Sequence, residues 1–249
     1  MSYRTKAGFR RIKILLRLRF FCPYYFILRV KIAIVEDHLM FREVLRKICT
    51  VELQHTIVGE AEDGRRAVEL VAATNPELVL LDLHLPKLDG FGVAEAIRLQ
   101  APDIRILVLS SHCDEYTVYR SERLRVHGFI DKNSNSIDTL KQAIKQVAQG
   151  KTAFSTEFQK IKAARSKNPL SFDKVLTGRE LTVLPLVGAS LTDAQIAAHL
   201  RIAETTVEKH RFNLMKKLGL RTTAELVRYA RDHGFMLLAP KSDSDVMLP

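Results

Sequence analysis

Four short apolar runs in this sequence each end at groups that could bind a metal ion or a phosphoryl group. They are Val30–Val35 before Glu36 and Asp37, Leu78–Leu81 before Asp82, Ile106–Leu109 before Ser110, and Gly128–Ile130 before Asp131 and Lys132. Open α/β sheets bind ligands at the carboxyl ends of their strands, so adjacent parallel strands would gather these groups at one edge. Three carboxylates gathered there would repel one another, and a hard divalent cation would relieve that repulsion.

The segments between these runs indicate how the edge is built. Short β-rich runs lie near residues 30–35, 56–61, 78–82, 105–110 and 128–130, and helical periods lie at 38–50, 64–74, 90–100, 115–126 and 136–149. Five strands that alternate with five helices predict an α/β fold with a doubly wound, five-stranded parallel sheet over residues 30–150.

The alternation stops after residue 150. Residues 151–175 are rich in Lys, Ser, Asn and Thr, which predicts a linker with one short helix. Residues 176–237 have only helical patterns, and a polar tail follows at 238–249. Three capping boxes mark helix starts, at Thr177 with Glu180, Thr192 with Gln195 and Thr222 with Glu225. A short helix that ends at Leu200, a brief turn and a helix over Glu204–Leu218 predict a helix-turn-helix in a small all-α domain.

Charge is distributed unevenly along the chain. Residues 1–29 contain eight Lys or Arg and no acid, whereas residues 151–249 contain 16 basic and 10 acidic residues. The basic rear part predicts a polyanionic partner.

We interpret residues 1–29 as a disordered extension or a mis-assigned start, with a surface-binding amphipathic helix as the alternative. Arg17 and Arg19 interrupt its apolar run, which argues against a signal peptide and a membrane span. Three scattered cysteines without CxxC spacing fit a reducing cytoplasm.

The acidic residues carry a family resemblance. Glu36-Asp37, the segment from Asp82 to Gly90, Ser110 and Lys132 together resemble the receiver domain of two-component response regulators, which implies a flavodoxin-like fold. The resemblance implies that Asp82 accepts a phosphoryl group from a histidine kinase. It also implies that Mg²⁺ is bound by Glu36, Asp37, Asp82 and the backbone carbonyl of His84. Lys132 and Ser110 would then contact phosphoryl oxygens, and Phe129 would be the switch aromatic, which here lacks a hydroxyl.

The helical domain resembles a second family. Leu176–Glu180, Thr206–Arg211 and Lys216–Gly219 are similar to the LuxR-type DNA-binding domain, and the whole chain resembles the NarL/FixJ group of regulators. The resemblance implies that the second helix of the helix-turn-helix enters the major groove and that the last helix dimerises on double-stranded DNA. The predicted DNA contacts are Thr206, Glu208, Lys209, Arg211, Phe212, Lys216 and Lys217.

Residue chemistry divides these contacts. Glu208 can accept a hydrogen bond from cytosine N4 and Phe212 can contact a thymine methyl group, so with Lys209 they are the predicted base-facing residues. Arg211, Lys216 and Lys217 suit phosphates. Periodicity directs Val207, Leu214 and Leu218 inward.

Three residues depart from the LuxR-type pattern. Arg201 replaces a turn glycine, Ala203 replaces a capping serine, and Pro185 lies inside the first helix, where we expect a kink. These departures concern the stability and affinity of the rear domain rather than its identity.

These observations predict a regulator rather than an enzyme: a phosphorylation-controlled transcription factor that forms a homodimer when phosphorylated. One alternative is a phosphatase or dehalogenase with an aspartyl nucleophile. Such enzymes have a second Asp two residues after the first, where this chain has His84. The other alternative is a receiver that binds partners without being phosphorylated.

Overall fold

The computed structural model describes residues 29–133 and 136–235. Nearly all of the predicted N-terminal extension and the whole C-terminal tail lie outside the described residues. The strands are β1 (Lys31–Val35), β2 (Thr56–Ala61), β3 (Leu78–Asp82), β4 (Arg105–Ser110), β5 (Gly128–Asp131) and β6 (Ala153–Phe154). The receiver helices are α1 (Leu39–Lys47, followed by a π-helical turn at Ile48–Glu52), α2 (Gly64–Thr74), α3 (Gly90–Gln100), α4 (Glu115–Arg123) and α5 (Ile137–Ala148).

The strands form one parallel sheet in the order β2-β1-β3-β4-β5-β6. Val35 pairs in register with Leu81, Asp82 with Leu109, and Ser110 with Asp131, so the strands end at the same edge. Helices α1 and α5 pack on one face of the sheet, and α2, α3 and α4 pack on the other. The predicted doubly wound parallel sheet is therefore confirmed.

The predicted number of five strands is wrong, because β6 adds a sixth beside β5 within the predicted linker. Gly128 pairs with Ala153 and Phe129 with Phe154. A helix of 12 residues, α6 (Thr156–Lys167), and a single turn, α7 (Phe172–Val175), follow directly. Three apolar side chains hold this segment on the receiver: Phe154, Phe158 and Ile161 all join the core on the α2–α4 side of the sheet. Their burial holds on the receiver a segment whose polar composition predicted a linker with one short helix.

The rear domain contains α8 (Gly178–Gly188), α9 (Asp193–Leu200), α10 (Glu204–Leu218) and α11 (Thr223–Asp232). Reciprocal capping boxes begin α8 at Thr177 and α9 at Thr192, as predicted. At Thr222 the hydroxyl accepts from the Glu225 amide, but the Glu225 carboxylate accepts from the Arg221 amide instead of completing the box. Helix α8 continues for three residues past Pro185.

The two other departures have visible structural consequences. Arg201 ends α9 in the left-handed conformation, with φ +53°, where a residue with a Cβ atom is strained. Ala203 begins α10 without a side-chain hydrogen bond to the first turn. Both sites therefore lack the residue type that their backbone geometry favours. Within residues 29–133 and 136–235, every helix is too short or too polar to cross a membrane.

Candidate functional site

Three carboxylates converge where β1 and β3 end. Glu36 and Asp37 directly follow β1, and Asp82 is the last residue of β3, its neighbour in the sheet. One oxygen from each carboxylate lies within 4.8 Å of the other two. Glu36 and Asp82 are buried, and Asp37 is partly exposed. The sheet topology thus brings together residues that are far apart in the sequence, as parallel strands at a switch point do.

Lys132 reaches the same cluster from the end of β5. Its amide donates to the carbonyl of Ser110 at 2.8 Å, which extends the β4–β5 pairing by one residue. Its ammonium lies 2.7 Å from Glu36 Oε2 and 2.9 Å from Asp82 Oδ2. A single cation therefore bridges two buried acids that would otherwise repel each other.

The electrostatics of this cluster favour an added cation. Burial and the nearby charge of Asp82 raise the pKa of Glu36 to about 7, against the opposing effect of Lys132. Burial disfavours the charge on Lys132, but Asp82 and Glu36 outweigh this effect and raise its pKa. The single ammonium of Lys132 does not fully offset these effects, so Glu36 binds a proton more tightly than an ordinary carboxyl group does.

The carboxylate oxygens fit a hard cation such as Mg²⁺. Three of them lie close enough to share one ion, and oxygen is the donor that Mg²⁺ prefers. Burial and the neighbouring charge of Asp82 raise the pKa of Glu36, and a divalent ion at this position would favour the charged carboxylate.

The loops after β3 and β4 complete the mouth of the site. The amide of His84 donates to Asp82 Oδ1 at 3.1 Å, and the amide of His112 donates to Ser110 Oγ at 3.1 Å. The rings of His84 and His112 lie 4.7 Å apart. Ser110 itself is fully buried, and its neighbour Ser111 lines the cavity of about 310 Å³ above the carboxylates. A hydroxyl that accepts one hydrogen bond retains a proton to donate, so the Ser110 hydroxyl can still act as a hydrogen-bond donor.

Two residues of α1 complete the site and were missed from the sequence. The Phe41 ring centroid lies 4.8 Å from the Lys132 ammonium, a cation–π contact. Arg42 Nη1 donates to the carbonyl of Glu36 at 2.6 Å, and Arg42 Nε lies 3.5 Å from Glu60. Helix α1 starts two residues after Asp37, and this proximity was the signal that its first turn could contact the site.

Phe129 lies inside the core rather than at the mouth. Its ring is fully buried and packs 5.1 Å from the ring of Phe158, which in turn stacks on Phe154 at 4.7 Å. The predicted switch aromatic therefore contacts the helix that follows β6.

The rear domain places a helix-turn-helix on its surface. Ile196 and Ala197 of α9 and Val207 and Leu214 of α10 are buried in one cluster, and Leu218 packs against that cluster partly exposed. On the opposite face of α10, Glu208, Lys209, Phe212 and Lys216 are exposed and Thr206 is partly buried. Phe212 is 62% exposed, so its ring is accessible to a binding partner.

Arg211 and Lys217 differ from the outward orientation expected for phosphate contacts. Arg211 retains only 14% of its side-chain exposure and lies 2.7 Å from Asp193 Oδ1. Lys217 lies 2.7 Å from the buried carboxylate of Glu180. These acids belong to α9 and α8 and come close only in the folded domain. Arg211 is largely covered by its contact, whereas Lys217 pairs with Glu180 while its side chain stays 35% exposed.

Two family models match the chain. Residues 32–145 match the response regulator receiver domain, and residues 174–230 match the bacterial regulatory proteins of the luxR family. The two matches follow one another in the order of the two folded parts described above.

Several curated proteins and solved structures are similar along most of the chain. The transcriptional regulatory protein MctR of Rhizobium johnstonii is 32% identical over 209 residues, which are 84% of this chain and 96% of that protein. DegU of Brevibacillus brevis is 29% identical, over 84% of this chain and 95% of that protein.

Among solved structures, a LuxR-family response regulator from Aurantimonas has 28% identity and a TM-score of 0.52, over 56% of this chain and 99% of its own. RcsB from Salmonella enterica, bound to a promoter with the phosphomimetic BeF₃⁻, has 23% identity and a TM-score of 0.57, over 81% and 97%. At that identity RcsB supports the fold alone. With the two domain matches and the full-length relatives, the chain belongs to the two-component response regulators that join a receiver to a LuxR-type DNA-binding domain.

Proposed function

We propose that Asp82 is the phosphoacceptor of this regulator and that a histidine kinase of the same cell is the donor. The observation that carries the proposal is the Lys132 ammonium, which lies within 3 Å of both Glu36 and Asp82 at the carboxyl edge of the sheet. A lysine in that position can pair with an oxygen of a phosphoryl group on Asp82.

The transfer needs little covalent chemistry from the protein. Asp82 attacks phosphorus, the new O–P bond forms, and the bond to the donor breaks with its electron pair retained by the leaving atom. Glu36, Asp37, Asp82 and the His84 carbonyl would hold Mg²⁺, which neutralises charge on the transferring oxygens. Ser110 would donate its hydroxyl proton to a phosphoryl oxygen, and Phe129 would repack in response.

A small-molecule phosphodonor tests this proposal directly. Acetyl phosphate with Mg²⁺ should label the wild type, whereas Asp82→Asn should remain unlabelled. Asp131→Asn is the matched control, because Asp131 lies at the same edge of the sheet, at the end of β5. Equal labelling of wild type and Asp82→Asn would refute the assignment of Asp82. An unlabelled wild type would instead favour the receiver that binds partners without phosphorylation.

We further infer that α10 reads double-stranded DNA. Its exposed Glu208, Lys209 and Phe212 are the base-facing candidates, and Lys216 and Thr206 are placed for backbone contacts. RcsB, a chain of the same fold, is solved on promoter DNA, which supports the proposal. Arg211 and Lys217 would contribute to phosphate binding only when they leave Asp193 and Glu180.

The salt dependence of DNA binding separates these two groups of basic residues. Lys209→Ala and Lys216→Ala each remove a positive charge from the proposed DNA-binding face. Each should reduce the magnitude of the slope of log affinity against log salt by up to about 0.9. Lys217→Ala should change the slope less and lower the melting temperature, because the buried Glu180 loses its ion-pair partner. Unchanged slopes in both exposed-lysine variants would exclude α10 as the DNA-binding helix.

The same proposal includes a homodimer on DNA, formed when Asp82 is phosphorylated, and a cytoplasmic site of action. Free thiols at Cys49 and Cys113 support a reducing compartment.

A further inference from the structure

The first turns of α4 extend the hydrophobic core of the rear domain. Tyr116 is 2% exposed, yet its neighbours in the core are rear-domain residues. Its ring lies 4.2 Å from the ring of Phe235, after α11, and the Tyr119 ring lies 5.4 Å from that of Phe172 in α7. We call Asp114–Tyr119 the α4 surface and His233–Phe235 the C-terminal turn.

Backbone contacts bring these two segments together closely. The amide of Tyr116, in the first turn of α4 where amides lack helical partners, donates to the carbonyl of His233 at 3.2 Å. Gly234 faces the carboxyl group of Asp114 so closely that a Cβ atom there would overlap it. A glycine is therefore required at this contact for space as well as for its φ of +80°.

Helix α6 attaches the other end of α4. Arg165 is buried and pairs with Glu122 of α4 and, at 2.6 Å, with Asp173. Lys162 adds a second ion pair to Glu122 at 2.8 Å. Helix α4 is thus held by the rear domain at its start and by α6 at its end.

The docked arrangement leaves the DNA-reading face of α10 in solvent. Glu208, Lys209, Phe212 and Lys216 are all exposed while the C-terminal turn is seated on the α4 surface. The segment that docking restrains is instead the end of α11, through His233–Phe235.

We propose that the α4 surface is a docking site for the C-terminal turn and that docking restrains α11 without covering α10. Only three residues separate Ser110, the last residue of the strand next to that of Asp82, from Asp114, which caps α4. A displacement of Ser110 is therefore transmitted to the docking site through a very short loop. Control of docking by phosphorylation rests on the function proposed above; the docking contact itself does not.

Gly234→Ala tests the contact by inserting a methyl group into it. Without phosphodonor, hydrogen exchange of the Tyr116 amide should become faster and the radius of gyration of the full chain should increase. Gly219→Ala is the matched control: Gly219 also has a positive φ, at +70°, but a Cβ atom there meets no neighbour. It should leave both measurements unchanged.

Tyr116→Ala provides a second test that does not strain the rear backbone, and it decides the matter if Gly234→Ala does not fold. It should speed amide exchange in the C-terminal turn. Wild-type exchange and radius in both variants would overturn the proposal. Labelling of Lys209 by an amine-reactive acetylating reagent should be equal in wild type and Gly234→Ala, and a clear rise in the variant would show that docking covers α10.

Acetyl phosphate distinguishes this proposal from the preceding one. The substitutions could increase amide exchange and the radius of gyration while the phosphodonor leaves both unchanged in the wild type. In that case the docking proposal stands and phosphorylation control fails. The phosphodonor could instead increase the radius of gyration of the wild type while both variants, without phosphodonor, keep the exchange and radius of the untreated wild type. In that case the proposed docking site is wrong and phosphorylation control stands.

Discussion

The guanidinium of Arg42 donates to the backbone carbonyl of Glu36 at 2.6 Å, so helix α1 holds the turn that carries two of the three clustered carboxylates. Arg42 also lies beside Glu60 of β2, which fixes the guanidinium from the far side. Groups that orient metal ligands in this way commonly change metal affinity when they are removed.

Arg42→Ala should weaken Mg²⁺ binding by about tenfold, because the Glu36–Asp37 turn loses the hydrogen bond that holds it in place. Isothermal titration of Mg²⁺ into the unphosphorylated protein measures this directly, and Arg42→Lys should restore part of the affinity. Arg46→Ala is the control, since Arg46 pairs with the same Glu60 but is more exposed and lies further along α1. A similar loss of Mg²⁺ affinity in both variants would contradict a specific role of the Arg42 hydrogen bond.

Mg²⁺ affinity should fall as the pH is lowered below about 7, the pKa of Glu36 in the metal-free protein. A proton and the metal ion compete for the same carboxylate, so affinity should drop by up to about tenfold per pH unit. Titrations at several pH values, in buffers of different ionisation enthalpy, would detect the proton released on binding.

The metal-free fold should respond to pH in the opposite direction. The pKa of Glu36 is raised above its ordinary value of 4.5, so the folded state holds its proton more tightly than the unfolded state. The stabilising contribution is complete below that ordinary value and is lost as the pH rises through about 7. Asp82→Asn removes the neighbouring charge and should shift the midpoint of this change to lower pH in chemical denaturation experiments. An unshifted midpoint would mean that the charge of Asp82 does not contribute to this change.

Ala203→Ser should stabilise the rear domain by about 0.5–2 kcal/mol, because a serine hydroxyl can accept from an amide in the uncapped first turn of α10. Thermal unfolding measures the gain. Ala198→Ser, on the exposed side of α9, makes the same change inside a helix and should be slightly destabilising. Equal effects at the two positions would show that capping is not limiting at Ala203.

Arg201→Gly should also stabilise this domain, by roughly 0.5–1 kcal/mol after the greater backbone freedom of glycine in the unfolded chain is subtracted. The gain arises because Arg201 is held at φ +53°. Chemical denaturation of the variant checks this value. Gly219→Ala, at the corresponding end of α10, should produce the reverse effect.

The carboxyl edge could be predicted because each strand ends in a recognisable residue type. Glu36 and Lys132 are 96 residues apart in the sequence. Parallel pairing of the short apolar runs that precede them places both residues at the same edge of the sheet. The hydrogen bond from Arg42 could not be predicted in the same way, because a basic residue on the first turns of a helix is ordinarily solvated.

The rear domain shows where local patterns are insufficient. Helix starts at Thr177 and Thr192 follow from adjacent residues and were predicted. The partners of Arg211 and Lys217 depend on how α8 and α9 pack on α10, which no local spacing reports. Strand β6 was missed for a related reason: Phe154 and Phe158 are isolated aromatic residues in a polar stretch, and only their contacts with β5 and Phe129 reveal them as core.

Strand β6 also determines how the receiver could be isolated for separate study. A fragment that stops at residue 150 would leave β5 with unpaired backbone groups along one side and remove Phe158 from the ring of Phe129. Bare strands of this kind recruit other chains, so such a fragment should self-associate. One that extends through α6 keeps this side covered and should remain dispersed.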